Sequence, residues 1–137
     1  MKLTRILTIG ACAAIALTGL TSQTVFAAEK EEKMVMPETA DGIMTAIHKH
    51  HGELADIVKS KKLADVHKAA FAIRDLANGL PAKVAADKKA RVEGSVKNIA
   101  KLAEDLDKTG DANDQVATEA NLKKLDGVLM ALEKQVK

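Results

Sequence analysis

Three of the four histidines in this 137-residue chain, His48, His50 and His51, lie within four consecutive positions, and the fourth is His67. Neutral imidazole is a good ligand for zinc, copper and nickel. Successive residues of a helix turn by about 100°, which places His50 on the apolar seam of its segment, His51 on a flank and His48 toward solvent. We predict that His50 and His67 are the primary ligands of a transition-metal ion and that His51 is a third.

This hypothesis depends on how the two segments meet. A turn centred near residues 60 and 61 would put Leu54 level with His67. His50 and His51 would then lie roughly 5 to 6 Å along the axis, because a helix rises about 1.5 Å per residue. Gly52 weakens a helix interior, and we expect it to permit close helix approach or access to the site.

Two other interpretations of the histidines stay open. In the first, His50 is a packed core residue and the others are surface residues. In the second, His48 and His51, which are three residues apart, share an ion on the outer flank of their helix.

Four methionines extend the set of candidate ligands. Met34 and Met36 precede the first helical segment, and their soft thioethers suit copper(I), so we predict that one of them closes the metal site. Met44 and Met130 flank the seams of the first and fourth segments. They are either gap-filling core residues or a pair of ligands for a cofactor.

Residues 1–27 have the layout of a secretory signal peptide. Lys2 and Arg5 precede an apolar stretch over residues 6–20, and cleavage is expected after Ala27. Cys12 lies within this stretch, so the exported chain would contain no cysteine. Cleavage removes Lys2 and Arg5 from the 21 basic residues, which leaves 19 against 19 acidic residues.

The composition and motifs argue against several classes of function. A neutral exported chain without Trp or Tyr has neither the basic excess nor the stacking residues of a nucleic-acid binder. The same neutrality predicts no attachment to a membrane after cleavage. The chain has no Cys-x-x-Cys-His, no glycine-rich phosphate loop and no His-Glu-x-x-His motif. We therefore expect a binding protein and not an enzyme.

Apolar residues recur at alternating steps of three and four in four segments, which is the pattern of helices packed in a bundle. The seams run from Ile43 to Ile57, Leu63 to Leu80, Val92 to Leu106 and Leu122 to Val136. Gly79 is expected to end the second helix in a left-handed conformation. Because the connections are short, we predict an all-α, up-down-up-down antiparallel four-helix bundle over residues 37–137. Residues 28–36 are predicted to be a mobile arm.

With its leader and four helical segments, the chain resembles the exported bundles of the cytochrome c′ and soluble b-type cytochrome class. The resemblance is one of architecture and covers residues 37–136. Members of the b-type class hold haem between an early Met and a late His. The resemblance implies that Met44 is one haem ligand. The fourth helical segment has no histidine, and Met130 lies late in it as the alternative second ligand. The stretch from His67 to Leu76 also looks like small periplasmic bundle proteins associated with heavy-metal efflux.

The leading hypothesis is therefore a periplasmic or secreted protein that binds a transition metal, with copper preferred. A carrier of non-covalent haem b at Met44 and Met130 is the first alternative. The second is a structural module that binds a protein partner in the cell envelope and no ligand.

Overall fold

The computed structural model describes residues 34–137, which form four α-helices and two short 3-10 turns. The helices are α1 (Ala40–Lys59), α2 (Val66–Gly79), α3 (Ala86–Asp111) and α4 (Gln115–Val136). The 3-10 turns, Leu63–Asp65 and Leu80–Ala82, precede and follow α2. No strand occurs between residues 34 and 137, which confirms the all-α class. The predicted signal peptide, Cys12 and residues 28–33 of the arm lie outside the described part of the chain.

Two of the helices begin at side chains that cap free amide groups. The Thr39 hydroxyl accepts a hydrogen bond from the amide of Gly42 at 3.1 Å. The Asp114 carboxylate accepts one from the amide of Ala117 at 3.0 Å. These contacts satisfy donors that have no partner within the first turn of a helix.

Between residues 34 and 137, the left-handed residues are not glycines. Lys61, after α1, has a φ of 59°, and Asn113, between α3 and α4, has a φ of 52°. The expectation for Gly79 was wrong, because its φ is −77° and the chain continues directly into a 3-10 turn. The lack of a side chain at Gly79 instead leaves room for a neighbouring side chain. A Cβ at Gly79 would lie 2.7 Å from the sulfur of Met36.

The four helices enclose one core of aliphatic side chains. Consecutive helices pack on each other, and α1 also contacts α4, although more sparsely. The largest side chains with almost no exposed surface include Ile43, Ile47, Leu54, Ile73, Leu76, Leu80, Ile99, Leu106 and Leu132. None of the helices within residues 34–137 is long and apolar enough to cross a bilayer.

The buried face of α1 is rotated slightly from the predicted seam. Ile47, Leu54 and Val58 are buried, whereas Ile57 is only partly buried. His50 and His51 flank this line of buried side chains, and each side chain is about one-quarter exposed. His51 lies on the side of α1 that meets α4.

Candidate functional site

The sparse seam between α1 and α4 holds a histidine and a carboxylate in direct contact. His51 Nε2 lies 2.5 Å from Asp126 Oδ1. The His51 side chain is one-quarter exposed, and that of Asp126 is nearly half exposed. The pair joins two helices whose residues are 75 positions apart. A contact of this kind both orients the imidazole and ties α1 to α4.

A second histidine of α1 faces a second carboxylate of α4. His48 Nε2 lies 3.9 Å from Glu133 Oε2, and Lys137 Nζ donates a hydrogen bond to Glu133 Oε1 at 2.7 Å. This bond and the charge of Lys137 hold the pKa of Glu133 below its usual value, with a smaller effect from the charge of His48. The same contact raises the pKa of Lys137. Glu133 is therefore a stable negative charge next to His48.

An open groove lies in the seam beside His48. It has a volume of about 170 Å³ and is lined by Asp41, Met44, Thr45, His48, Glu133, Val136 and Lys137. Met44 is itself 6% exposed and packs in the core. The groove thus contains imidazole, carboxylate, hydroxyl and ammonium groups, and its mixed lining suits an ion or a small polar ligand better than an apolar one.

His50 and His67, the predicted primary ligands, make local contacts. His50 Nδ1 lies 2.8 Å from Glu53 Oε2, three residues along the same helix. His67 is exposed, and its Nδ1 lies 3.1 Å from the carbonyl oxygen of Ala64. Among residues 34–137, no three His, Cys, Asp or Glu side chains form a ready-made metal cluster. His50, His51 and His67 are therefore not gathered around one point.

The expectation that Gly52 permits close helix approach was wrong. No atom lies within 4 Å of the position that a Cβ would take on Gly52, so no neighbouring element approaches α1 there. This glycine faces open space. The bundle does not use it to bring histidines together.

The two arm methionines are both partly exposed, and the position of Met36 can be compared with that of His67. Met34 is 42% exposed and Met36 is 40% exposed. Met36 contacts Gly79 at the end of α2, twelve residues from His67. At about 1.5 Å per residue, that separation is roughly 18 Å along the helix. Met36 therefore lies far from the beginning of α2, where His67 is placed.

The methionines of the haem hypothesis do not share an environment. Met44 is buried, whereas Met130 is 62% exposed on α4. Haem ligation by this pair requires both sulfur atoms to face one apolar pocket. The exposure of Met130 gives that hypothesis no support.

Asp126 and Glu133 were not predicted as site residues. A sequence signal did exist, because Asp126 directly follows the buried Leu125 and Glu133 directly follows the buried Leu132. Residues seven apart lie on one side of a helix, so both acids flank the same edge of the α4 seam. Which helix faces that edge depends on how the bundle closes.

No protein family, curated protein or solved structure matches this chain at a significant level.

Proposed function

We propose that this protein binds a divalent transition-metal ion in the seam between α1 and α4, through His48, His51 and one carboxylate of α4. The observation that carries the proposal is the contact of His51 Nε2 with Asp126 Oδ1 at 2.5 Å. This contact brings an imidazole nitrogen and a carboxylate oxygen of two helices together, which supports their use as ligands of one ion.

The spacing of residues along each helix indicates which side chains can bind one ion together. His48 and His51 are three residues apart, which is a rise of about 4.5 Å, so two imidazoles on one flank of α1 can converge. Asp126 and Glu133 are seven residues apart, or about 10.5 Å, so a single ion would take only one of them. Asp126 is the better candidate because it already contacts His51.

Binding requires a local rearrangement of side chains. The His48 side chain is about half exposed, and it can rotate toward His51 without disturbing the core. An ion between the two imidazoles would displace their protons, so affinity should fall as pH is lowered. Imidazole with carboxylate suits zinc, copper(II) and nickel, of which copper(II) has the highest intrinsic affinity. Copper is therefore the first metal to test.

Other parts of the proposal concern arrangement and location. The hydrogen bond from Ser95 at the middle of α3 to Gln135 at the end of α4, and that from Asn121 to the carbonyl of Asp105, support an up-down course of neighbouring helices. The charge and hydropathy pattern of residues 1–27 supports export. We propose a binding role in the periplasm or outside the cell, without catalysis, in which a protein of the envelope would exchange the metal.

Calorimetric titration of the untagged, metal-free protein with copper(II), zinc and nickel tests the site. The double variant His48→Ala/His51→Ala is expected to lose affinity by about 100-fold, because two of three ligands are removed. The matched control is His50→Ala/His67→Ala, which removes two imidazoles outside the seam and should leave binding intact. Far-ultraviolet circular dichroism of both variants checks that the bundle remains helical.

The control also distinguishes this proposal from the one based on sequence alone. Loss of binding only in the His50/His67 variant would support the original ligand set and refute the seam. Failure of the wild-type protein to bind any of the three metals would refute both.

A further inference from the structure

We propose that the groove between the start of α3 and the end of α4 binds a phosphate-bearing anion, independently of the metal site. Its cationic residues are Lys88 and Arg91 on α3 and Lys134 and Lys137 on α4. The groove has a volume of about 600 Å³, and Asp87 is its acidic lining residue. Even with Lys137 paired to Glu133, the cations at this end of the bundle outnumber the carboxylates, although the exported chain as a whole is predicted to be neutral.

The four cations divide into two pairs with different surroundings. Lys88 Nζ donates to the carbonyl oxygen of Val136 at 3.3 Å, and Lys137 is paired with Glu133. These contacts hold two cations at the end of α4, where positive charge complements the free carbonyl groups of a helix. No hydrogen bond or ion pair from Arg91 or Lys134 occurs within residues 34–137. Arg91 and Lys134 therefore keep their charges available for a ligand.

The backbone adds to the same potential. Helix α3 begins after Ala85, and no side chain caps its first turn. The free amide groups of this turn and the helix dipole favour negative charge. Arg91 lies in the second turn of α3, next to this end. Its planar guanidinium can bind two phosphate oxygens at once, and the lysines supply point charges.

The volume of the groove indicates the kind of anion. A space of about 600 Å³ is much larger than one phosphate group, so cations on its two sides can bind a multiply charged anion together. Ser95 Oγ donates to Gln135 Oε1 at 2.9 Å beside the groove, which holds the two helices at this spacing. A diphosphate or a phosphate monoester with a second acidic group fits this arrangement. The phosphate group can belong to a soluble compound or to a lipid headgroup.

Calorimetric titration of the metal-free full chain with inorganic pyrophosphate at low ionic strength tests the proposal. We expect one saturable site, which Arg91→Ala/Lys134→Ala weakens by about tenfold or more. The matched control is Lys97→Ala/Lys123→Ala, which also removes one exposed positive charge from each of α3 and α4, but outside the groove. Equal weakening in the two double variants would show a general charge effect and would overturn the proposal.

A second variant tests the groove in the opposite direction. Asp87→Asn removes its acidic lining residue, so pyrophosphate should bind more tightly.

Sedimentation with vesicles of phosphatidylglycerol or of phosphatidylcholine identifies the source of the phosphate. Binding to phosphatidylglycerol that Arg91→Ala/Lys134→Ala abolishes supports the groove with a lipid headgroup. Saturable binding of pyrophosphate alone supports a soluble ligand. Binding of neither probe overturns the proposal. Because no metal is present, these results are separate from those for the α1–α4 seam.

Discussion

Gly110 lies where the end of α3 passes the connection between α1 and α2, and we expect Gly110→Ala to destabilise the protein. The glycine is buried. A Cβ in its place would lie 2.8 Å from the carbonyl oxygen of Leu63 and 3.2 Å from Cβ of Val66. The first contact is with a backbone oxygen and the second with a Cβ atom, so neither can move without a shift of the backbone. One of the two elements must shift.

Two opposing effects determine how much Gly110→Ala changes the free energy of unfolding. Forcing an extra methyl group into a packed interior costs about 1 to 3 kcal/mol. Alanine is favoured over glycine within a helix by about 1 kcal/mol, and this gain is smaller in a last turn. The net loss is therefore about 0.5 to 2 kcal/mol. For a domain of this size, each kcal/mol lowers Tm by roughly 4 to 8 °C.

Gly94→Ala provides the matched control. Gly94 lies in the same helix, and no atom is found within 4 Å of its Cβ position. The same chemical change there should stabilise the protein by about 0.5 to 1 kcal/mol. The assay is urea unfolding followed by circular dichroism at 222 nm, because the chain has no Trp for fluorescence. If Gly110→Ala is as stabilising as Gly94→Ala, the close approach of α3 to the α1–α2 connection is refuted.

Three further predictions concern the core, a helix cap and an ion pair. Leu106→Ala, at a side chain without exposed surface, should cost about 2 to 5 kcal/mol in chemical unfolding; a loss below 1 kcal/mol would contradict its central position. Asp114→Ala removes the cap on the amide of Ala117 and should cost about 1 kcal/mol, whereas Asp114→Asn should retain most of the stability. Because Lys137 holds the pKa of Glu133 below the usual 4.5, the ionised carboxylate stabilises the fold above that pH. This contribution is lost as pH falls through the lower folded value, so the stability difference between wild type and Glu133→Gln should shrink in acid. A constant difference in thermal unfolding between pH 6 and pH 3 would contradict it.

The positions of the helices follow from local features of the chain. The alternating apolar steps, the caps at Thr39 and Asp114, and the breaks near Ser60 and Pro81 each depend on residues only a few positions apart. Their effects are carried by backbone hydrogen bonds and short-range packing. The all-α class and the number of helices were predictable for that reason.

The direction of each histidine was less predictable. A seam with steps of three and four leaves the buried face uncertain by about half of the 100° between successive residues. His50 and His51 are adjacent residues on the two flanks of the buried face, so either of them could be assigned to the seam. The prediction placed His50 on the seam, whereas the packed helix brings His51 to Asp126 and leaves His50 with Glu53.

Helix bounds and the alternation of apolar residues are properties of consecutive residues, so the amino-acid sequence alone specifies them. The pairing of His51 with Asp126, the close approach at Gly110 and the grouping of Lys88, Arg91, Lys134 and Lys137 join parts of the chain that are far apart. These features arise when the helices pack, because the rotation of each helix is chosen by the best mutual burial of all four seams. The net charge and the spacing of apolar residues are properties of single segments. They do not determine how far each helix rotates when the four helices pack together.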